Sequence, residues 1–406
     1  MSRLATLCAL ALTLVLAACA STPRPATPPA AVVVLVSIDG FRPDYLDRGV
    51  TPVLSGLAAQ GARGTMRPSF PTKTFPNHYT LVTGLRPDHH GIVENTFEDP
   101  AIPGVTFKMS NRAAVGEARW WDQATPIWVS AERAGIITAP MFWPGSEAPI
   151  RGVRPSLWRP FDQAMPPSAR VDQVLAWLDR PPAERPRFVT LYFDDVDTAG
   201  HDFGPESAEV NAAAARVDAA LGRFTAGLQA RGVAANLVIV ADHGMAPIAP
   251  DRLLYIEDII PKDAARSLSG GAFMTLYPVK GREAEVEKLL LGRRPHLECW
   301  RNADIPTRFR YGMNPRVAPI FCLPETGWSL RNKDYKPRKP ERGNHGFDNS
   351  SPEMRAVFVA SGPAFRGGVT LPTFDNVDVY PLLARLIGVQ PESNDGDLDE
   401  LRAALR

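Results

Sequence analysis

The sequence has little cysteine, little histidine and almost no net charge. Its 406 residues include four cysteines and seven histidines, and 45 Lys and Arg side chains stand against 44 Asp and Glu side chains, for a formal net charge of +1. This balance excludes the strongly basic surface on which stable nucleic-acid binding depends, so any recognition of phosphate must be local. The sequence also has no internal repeat at solenoid spacing, which excludes a repeat architecture.

Long apolar runs are also scarce, and the one near the N-terminus is too short to span a membrane as a helix. Arg3 precedes this run over residues 4–16, and small residues follow, which is typical of a secretory signal peptide over residues 1–18. The run ends in Leu16-Ala17-Ala18-Cys19, which resembles the lipobox of bacterial lipoproteins and predicts lipidation of Cys19. The alternative is an ordinary signal peptide that is cleaved at an Ala-x-Ala-like site.

Lipidation of Cys19 predicts an exported, periplasmic chain that is anchored to a bacterial membrane. Residues 19–31 are rich in Pro, Ala, Ser and Thr, which is typical of a flexible tether. Ala20, rather than Asp, follows Cys19 and resembles the sorting pattern of outer-membrane lipoproteins. In an oxidising compartment Cys299 and Cys322 are expected to form a disulfide, and two buried free thiols are the alternative.

Four apolar, β-branched runs predict buried strands of a parallel sheet, because both faces of each run are apolar. The runs cover residues 32–38, 188–193, 237–241 and 356–360. Segments with a helical pattern lie between or after these runs, over residues 51–60, 208–232, 283–291 and 377–387. We therefore predict an α/β fold, a three-layer sandwich with a central, mostly parallel sheet. The Trp-rich residues 99–165 are expected to form an irregular insertion over the catalytic edge.

Acidic and histidine residues follow three of the predicted strands. Asp39 directly follows the first run, Asp197 lies just past the second, and Asp242 and His243 follow the third. Because the carboxyl ends of parallel strands meet at one edge of a sheet, we expect these side chains to lie close together. A strand-terminating turn is the alternative for Asp39, which precedes a glycine.

Two further histidines complete a set of three carboxylates and three imidazoles. Asp197 and His201 are four residues apart, a spacing that places both side chains on one face of a helical turn. His345 lies in Gly343-Asn344-His345-Gly346. The six residues are enough to bind two divalent cations, although a solvated Asp–His pair is the alternative for Asp197 and His201.

Thr74 is the candidate nucleophile beside this metal site. It lies in a proline-restricted loop before a predicted helix over residues 78–85. Metal coordination can activate a hydroxyl that is otherwise too weak at neutral pH, and a helix N-terminus offers N–H groups to a phosphoryl oxygen. Asn95 can add a side-chain donor, whereas an N-cap role is the alternative for Thr74. We do not assign His78, His89 or His90 to a metal.

The set as a whole resembles the alkaline phosphatase superfamily, and its details resemble the nucleotide pyrophosphatase/phosphodiesterase branch. The motifs that carry the resemblance are Ser37-Ile38-Asp39-Gly40, Thr74-Phe75-Pro76-Asn77-His78, Asp197 with His201, Asp242-His243-Gly244-Met245 and His345. The resemblance spans residues 32 to about 390 and implies an alkaline phosphatase-like catalytic domain over residues 32–390. Residues 391–406 would then form a C-terminal tail, and we expect a monomer.

The resemblance implies two zinc ions per chain, although manganese also suits an O/N ligand set. One zinc would be bound by Asp197, His201 and His345. The other would be bound by Asp39, Asp242, His243 and Thr74.

The resemblance also implies the roles of four residues toward a nucleotide. Thr74 would attack phosphorus and form a phosphothreonine intermediate, whose hydrolysis releases a nucleoside 5′-monophosphate. Asn95 and the Thr74 backbone amide would bind the non-bridging oxygen. Phe75 and Tyr192 would stack on the base.

Three alternatives use the same residues differently. The first is a phospholipase C-like or phosphonate-cleaving diesterase on the same metals. The second is a phosphomonoesterase, which needs further positive groups near the phosphate, with Lys73 and Arg42 as candidates. The third is a non-catalytic lipoprotein binding module, which the presence of every expected ligand disfavours.

Overall fold

The computed structural model describes residues 31–336 and 339–406. The predicted signal peptide, Cys19 and nearly all of the predicted tether lie outside the described residues. Among the described residues, no helix is both long and apolar enough to cross a membrane.

A mixed sheet of eight strands forms the centre of the fold. Its strands in spatial order are Val369–Thr370, Ala62–Arg67, Ala356–Ser361, Ala235–Val240, Val32–Ile38, Phe188–Phe193 and Thr138–Met141, and Phe374–Asp375 also pairs with Ala62–Arg67. The Val32–Ile38 strand is parallel to both neighbours and fully buried. Its place in the middle of the sheet explains why its sequence is apolar on both faces.

The strand Ala356–Ser361 corrects the prediction of four parallel strands. It runs antiparallel to both Ala235–Val240 and Ala62–Arg67. The chain leaves the carboxyl end of Ala235–Val240 at Asp242 and enters Ala356–Ser361 from the same edge of the sheet. No crossover to the opposite edge intervenes, so the strand runs in reverse.

Two groups of helices pack with the sheet and give the predicted three layers. One group consists of Pro52–Gln60, Pro167–Leu178, Asp195–Phe203 and Ala208–Ala230. The other consists of Thr74–Thr83, Ile127–Arg133 and Val379–Ile387. The helices predicted over residues 51–60, 208–232, 283–291 and 377–387 are confirmed as Pro52–Gln60, Ala208–Ala230, Glu283–Leu290 and Val379–Ile387.

Shorter elements join these layers. Two are single-turn α-helices, Pro87–His90 and Arg112–Val115. The others are 3₁₀-helices at Pro43–Arg48, Ala118–Trp120, Ile150–Gly152, Pro182–Glu184, Ile256–Asp258, Asn302–Asp304, Thr307–Phe309, Pro352–Met354, Asn376–Asp378 and Leu398–Ala404.

The prediction that residues 99–165 form an irregular insertion is wrong for part of this segment. Thr138–Met141 is an edge strand of the central sheet, parallel to Phe188–Phe193. The strand is short and contains Pro140. Proline argues against a strand when only the sequence is considered, but it is tolerated at the edge of a sheet. Residues 391–406, predicted as a C-terminal tail, belong to the compact unit Ala31–Arg406, and Leu401 in this segment is fully buried.

A second, antiparallel sheet between residues 265 and 324 was not predicted. Its strands in spatial order are Ala265–Ser267, Met274–Pro278, Ile320–Pro324, Leu297–Arg301 and Gly292–Arg294. Cys299 and Cys322 are paired in register on adjacent strands and form the predicted disulfide. Three two-stranded ladders complete the fold: Leu253–Tyr255 with Ser329–Arg331, Ala246–Pro247 with Gly343–Asn344, and Thr96–Glu98 with Thr106–Lys108.

Candidate active site

The carboxylates and imidazoles predicted as ligands meet at the carboxyl edge of the central sheet. His243 Nε2 lies 3.0 Å from Asp242 Oδ2 and 3.5 Å from Asp39 Oδ1. Asp197 Oδ1 lies 3.5 Å from His201 Nε2 and 3.6 Å from His345 Nε2. The two groups adjoin, because the His243 and His345 rings stack with their centroids 3.5 Å apart. The structure therefore brings all six side chains together.

Each ligand owes its position to a local feature of the chain. Asp39 follows the central strand, and the next residue, Gly40, has a φ of 70°. A Cβ atom at Gly40 would lie 3.1 Å from the Asp197 Cα atom, so glycine permits both the sharp turn and the close approach of the two ligand segments. Asp197 and His201 lie on the helix Asp195–Phe203, which confirms that one helical face carries both.

The three histidines all direct a ring nitrogen with a free lone pair into the cluster. The Nδ1 atoms of His201, His243 and His345 lie 2.8–3.0 Å from backbone carbonyl oxygens of Gly343, Gly244 and Thr72. A carbonyl oxygen only accepts, so each Nδ1 carries the proton and each Nε2 is left as an acceptor. This arrangement is the one that orients histidine ligands in metal sites.

The carboxylates also present acceptors without donors. Asp39 Oδ1, Asp197 Oδ1 and Asp242 Oδ2 are buried and have no hydrogen-bond partner. Three carboxylate oxygens and three imidazole nitrogens thus converge as acceptors, an arrangement that is costly unless positive charge lies between them. The residues therefore fit a pair of divalent cations.

Burial and the charges of neighbouring ligands shift the pKa values of several residues in this cluster. Burial raises the pKa of Asp39 well above its ordinary value, and the negative charges of Asp242 and Asp197 add to the rise. Burial also opposes charge on Asp242, but His243 and His78 outweigh burial and hold the pKa of that carboxyl well below its ordinary value. Burial lowers the pKa of His345 well below its ordinary value, and the nearby side chains of His243 and Lys73 add to the fall. The neutral imidazole is the form that binds a metal.

His78 lies beside the cluster, but its ring is already engaged. By proximity alone, His78 joins Asp39 and Asp242 in one candidate metal group, and His243 joins Asp197 and His345 in another. The Nδ1 atom of His78 lies 2.9 Å from the Thr74 carbonyl oxygen, and its Nε2 atom lies 2.8 Å from Ser37 Oγ. Both ring nitrogens thus have protein partners, so His78 positions the Thr74 backbone.

Thr74 is the first residue of a helix and not part of a loop before it. The helix predicted over residues 78–85 runs from Thr74 to Thr83, because Pro76 is tolerated in a first turn, where N–H groups have no intrahelical partner. The Thr74 hydroxyl oxygen lies 3.4 Å from His243 Nε2. Its side chain therefore faces the metal-ligand cluster, and the N-cap position belongs to Lys73 instead.

The same helix end leaves one backbone donor free near the Thr74 hydroxyl. The Phe75 N–H donates to Asn95 Oδ1 at 2.9 Å, Pro76 has no N–H, and the Asn77 N–H donates to the Lys73 carbonyl oxygen. Within the part of the chain that the structure describes, the Thr74 N–H has no acceptor. Because the Asn95 oxygen is occupied, its amide nitrogen is the end that can donate. The two donors predicted from the sequence are both available.

A cavity of about 190 Å³ opens beside Asp39, Thr74 and Asp197. Both aromatic residues predicted to contact a ligand, Phe75 and Tyr192, line it. Tyr192 has a second contact that the sequence did not predict, since its hydroxyl donates to Asp39 Oδ2 at 2.6 Å.

Several further residues line the cavity and were missed by sequence reasoning. They are Met109, Arg112, Val115, Phe142, Trp143, Pro144, Glu147, Phe161, Gln163, Asp194 and Thr198. Most of them belong to residues 99–165, the segment expected over the catalytic edge. Phe142 has a φ of 61°, which is strained for a bulky residue and carries no signal in the sequence.

We expect the Tyr192→Phe variant to bind divalent cations more weakly while its ring remains in place. The hydroxyl orients a candidate metal ligand, and loss of such a contact lowers metal affinity by about tenfold or more. Zinc affinity can be measured by competition with a chelator, with Tyr380→Phe as a matched buried-tyrosine control outside the cluster. Equal affinity of wild type and Tyr192→Phe would show that the hydroxyl does not support the metal site.

Comparison with known proteins shows which family this chain resembles. The family model described as type I phosphodiesterase/nucleotide pyrophosphatase matches residues 33–348. The chain is 38% identical to an uncharacterized pyrophosphatase/phosphodiesterase of Schizosaccharomyces pombe, over 90% of this chain and 78% of that protein. It is 36% identical to the venom phosphodiesterase of Macrovipera lebetinus, over 92% of this chain but 45% of the venom protein. The chain thus spans less than half of the venom relative.

Solved structures show the same fold. Murine ectonucleotide pyrophosphatase/phosphodiesterase 5 superposes with a TM-score of 0.88 at 31% identity, over 92% of this chain and 100% of that chain. An inactive threonine-to-alanine variant of the same murine protein, in complex with AMP, also superposes with a TM-score of 0.88. The chain therefore belongs to the type I phosphodiesterase/nucleotide pyrophosphatase family, and its central sheet has the alkaline phosphatase-like architecture.

Proposed function

We propose that this chain is a two-metal hydrolase that cleaves phosphodiester and pyrophosphate bonds of nucleotides and releases nucleoside 5′-monophosphates through a covalent ester with Thr74. The observation that carries the proposal is the position of the Thr74 hydroxyl. It lies at a helix N-terminus, 3.4 Å from His243 and at the mouth of a partly aromatic cavity. A nucleophile, a metal-ligand cluster and a space for a nucleoside thus adjoin.

Zinc suits the mixed oxygen and nitrogen donors of the cluster. In our proposal one zinc is bound by Asp197, His201 and His345, and the other by Asp39, Asp242, His243 and Thr74. His243 Nε2 lies 3.0 Å from Asp242 Oδ2, whereas both ring nitrogens of His78 already have other partners, which favours the second grouping over the one proximity group that includes His78. When bound, the two cations would activate the threonine hydroxyl and offset charge on the phosphoryl oxygens.

Thr74 and Asn95 would have separate roles in the first step. The Thr74 hydroxyl oxygen attacks phosphorus, and the alcohol or pyrophosphate group leaves on the opposite side. The Thr74 N–H and the Asn95 side-chain amide donate to the non-bridging oxygen as its negative charge grows. In the second step a water hydrolyses the ester at Thr74 and frees the nucleoside 5′-monophosphate.

The cavity beside Thr74 would hold the nucleoside. Phe75 forms part of its wall, and aromatic faces stack on any base with roughly 1–3 kcal/mol per base. The Tyr192 hydroxyl is bound to Asp39, so this residue would support the metal site as well as the cavity wall. The AMP complex of the murine relative supports a nucleotide as the ligand.

The surroundings favour diesters over phosphate monoesters. A monoester carries one more negative charge, and Arg42 and Lys73 were the candidates to offset it. The Arg42 guanidinium is engaged by Asp44 at 2.8 Å and Glu206 at 2.9 Å. The Lys73 ammonium group donates to the His345 carbonyl oxygen at 2.8 Å. Arg42 is thus already paired with two carboxylates, and Lys73 is already engaged by the His345 backbone.

A substrate panel tests this proposal directly. The p-nitrophenyl ester of thymidine 5′-monophosphate should be hydrolysed much faster than p-nitrophenyl phosphate by the zinc-loaded chain. A choline phosphodiester should be a poor substrate, since it offers no base to the cavity. A preference for the monoester, or for the choline ester, would contradict the substrate assignment.

Export and lipid anchoring at Cys19 are part of the proposal. The signal-like residues 1–18 and the lipobox-like sequence support them, and the Cys299–Cys322 disulfide is consistent with an oxidising compartment. We propose a monomer in the periplasm, tethered to the outer membrane by residues 19–31. Loss of membrane association in a Cys19→Ala variant, with activity retained, is the expected result.

A further inference from the structure

Asn77 lies near the start of the helix that carries the candidate nucleophile, but it is fully buried and does not line the cavity. Its side-chain amide nitrogen donates to the carbonyl oxygens of Pro71 and Lys73 at 3.0 and 2.9 Å. Its backbone N–H also donates to the Lys73 carbonyl oxygen, at 3.1 Å. Two hydrogen bonds from one residue thus hold the Lys73 carbonyl group.

The Lys73 carbonyl group belongs to the same peptide unit as the Thr74 N–H. Among the described residues the one cis peptide bond is Phe70–Pro71, so the Lys73–Thr74 unit is trans. A trans peptide unit is planar, and its C=O and N–H groups point in opposite directions. A residue that holds the Lys73 carbonyl oxygen therefore also sets the direction of the Thr74 N–H, which is the backbone donor proposed for the non-bridging oxygen.

A buried network fixes which end of the Asn77 amide faces the two carbonyl groups. The carbonyl oxygens of Pro71 and Lys73 only accept, so the amide nitrogen must face them. Asn77 Oδ1 then accepts from Asn376 Nδ2 at 2.9 Å, and Asn376 Oδ1 accepts from the Ser69 hydroxyl at 2.9 Å. All three side chains are fully buried. A reversed amide would leave buried groups unpaired, so the network favours one orientation.

We propose that Asn77 is a positioning residue that aims the Thr74 N–H at the non-bridging oxygen of the substrate. Asn376 and Ser69 hold Asn77 in the orientation that this role needs. The role rests on the proposed function, since the oxygen belongs to the nucleotide diester. Asn77 acts through the backbone and touches neither the substrate cavity nor a metal-ligand side chain.

The Asn77→Ala variant removes the side-chain contacts to both carbonyl groups. Its kcat for the thymidine diester should fall by about tenfold or more, with KM nearly unchanged, because the donor acts on charge that grows in the transition state. The Asn95 donor should remain in place, because Asn95 is held from a different segment by the Phe75 N–H.

Asn236→Ala is the matched control for the loss of a buried asparagine. Asn236 lies at the amino end of the strand Ala235–Val240, at the edge of the sheet opposite the site, and its Oδ1 atom accepts from the Ala364 N–H at 2.9 Å. Both variants should lower the free energy of unfolding, since each leaves a buried backbone group unpaired. Only Asn77→Ala should lower kcat.

A sulfur-substituted diester separates positioning from a merely structural role. Sulfur at one non-bridging position accepts hydrogen bonds weakly, so the wild type should hydrolyse the diastereomer whose sulfur meets the Thr74 N–H more slowly than the oxygen diester. In Asn77→Ala this oxygen-to-sulfur rate ratio should fall severalfold, whereas the ratio for the other diastereomer should stay at its wild-type value. A smaller folded fraction lowers the oxygen and sulfur rates equally and leaves both ratios unchanged.

Wild-type ratios for both diastereomers in Asn77→Ala would overturn the positioning role. If Asn77→Ala does not fold, Ser69→Ala decides by the same ratios, because it removes the donor that orients Asn376 and through it Asn77. Missing turnover of the oxygen diester by the wild type would instead contradict the proposed function, and the positioning role would fall with it.

Discussion

The Thr74→Ala variant is expected to lose hydrolysis of nucleotide diesters by a factor of about 10³ or more, because it lacks the attacking oxygen. The Thr74 hydroxyl oxygen lies 3.4 Å from His243 Nε2. Among the described residues, two other hydroxyl groups line the cavity next to the metal-ligand cluster, those of Tyr192 and Thr198. The Tyr192 hydroxyl is bound to Asp39 and is not free to attack. Steady-state turnover of the thymidine diester measures this loss.

The control for this prediction is Thr74→Ser, which keeps the oxygen and removes one methyl group. It should retain measurable turnover, because its hydroxyl still reaches the cluster, whereas a serine samples more side-chain rotamers than a β-branched threonine. Both variants should unfold like the wild type within a small margin and still bind zinc through the carboxylate and imidazole ligands. Wild-type turnover in Thr74→Ala would assign the attack to another group.

Removal of the divalent cations is expected to abolish turnover and to destabilise the fold. Three buried carboxylate oxygens have no hydrogen-bond donor and lie close together, so the metal-free cluster retains repulsion that bound cations relieve. A ligand at one hundred times its Kd stabilises the native state by about 2.7 kcal/mol per site. We therefore expect chelation to lower Tm by several degrees and zinc to restore both Tm and activity.

Asp242→Asn tests the same site without a chelator. Asparagine keeps the shape of Asp242 but removes its negative charge. Because Asp242 Oδ2 is buried and has no hydrogen-bond partner, the variant should contain fewer than two zinc ions per chain. The exposed Asp399→Asn is the matched control, and it should keep full zinc content and turnover. An active, stable, metal-free wild type would contradict the two-metal site.

The ligand cluster could be predicted from sequence because each member is tied to a strand end or to a helical spacing. Asp39 and Asp242 follow buried apolar strands, and Asp197 and His201 lie four apart. These signals are local in the chain, and the rule that parallel strands share an edge brings them together. His345 had only a weak local signal, its position between glycine-bearing neighbours, and the family resemblance supported its place in the set.

The parts that sequence reasoning missed depend on contacts between distant segments. The reversed strand Ala356–Ser361 has the same apolar pattern as a parallel strand, so its direction depends on where the preceding segment ends. The Tyr192 hydroxyl reaches Asp39 only because their two strands are neighbours. The strained backbone of Phe142 likewise depends on tertiary packing.

The stereochemistry at phosphorus tests the central claim most directly, because it reports the number of in-line displacements. A nucleotide diester made chiral at phosphorus by oxygen isotopes or sulfur would be hydrolysed by the zinc-loaded wild type, and the configuration of the released nucleoside 5′-monophosphate would be determined. Attack by Thr74 followed by attack of water predicts overall retention. Inversion would mean a single displacement by water and would contradict a covalent ester at Thr74.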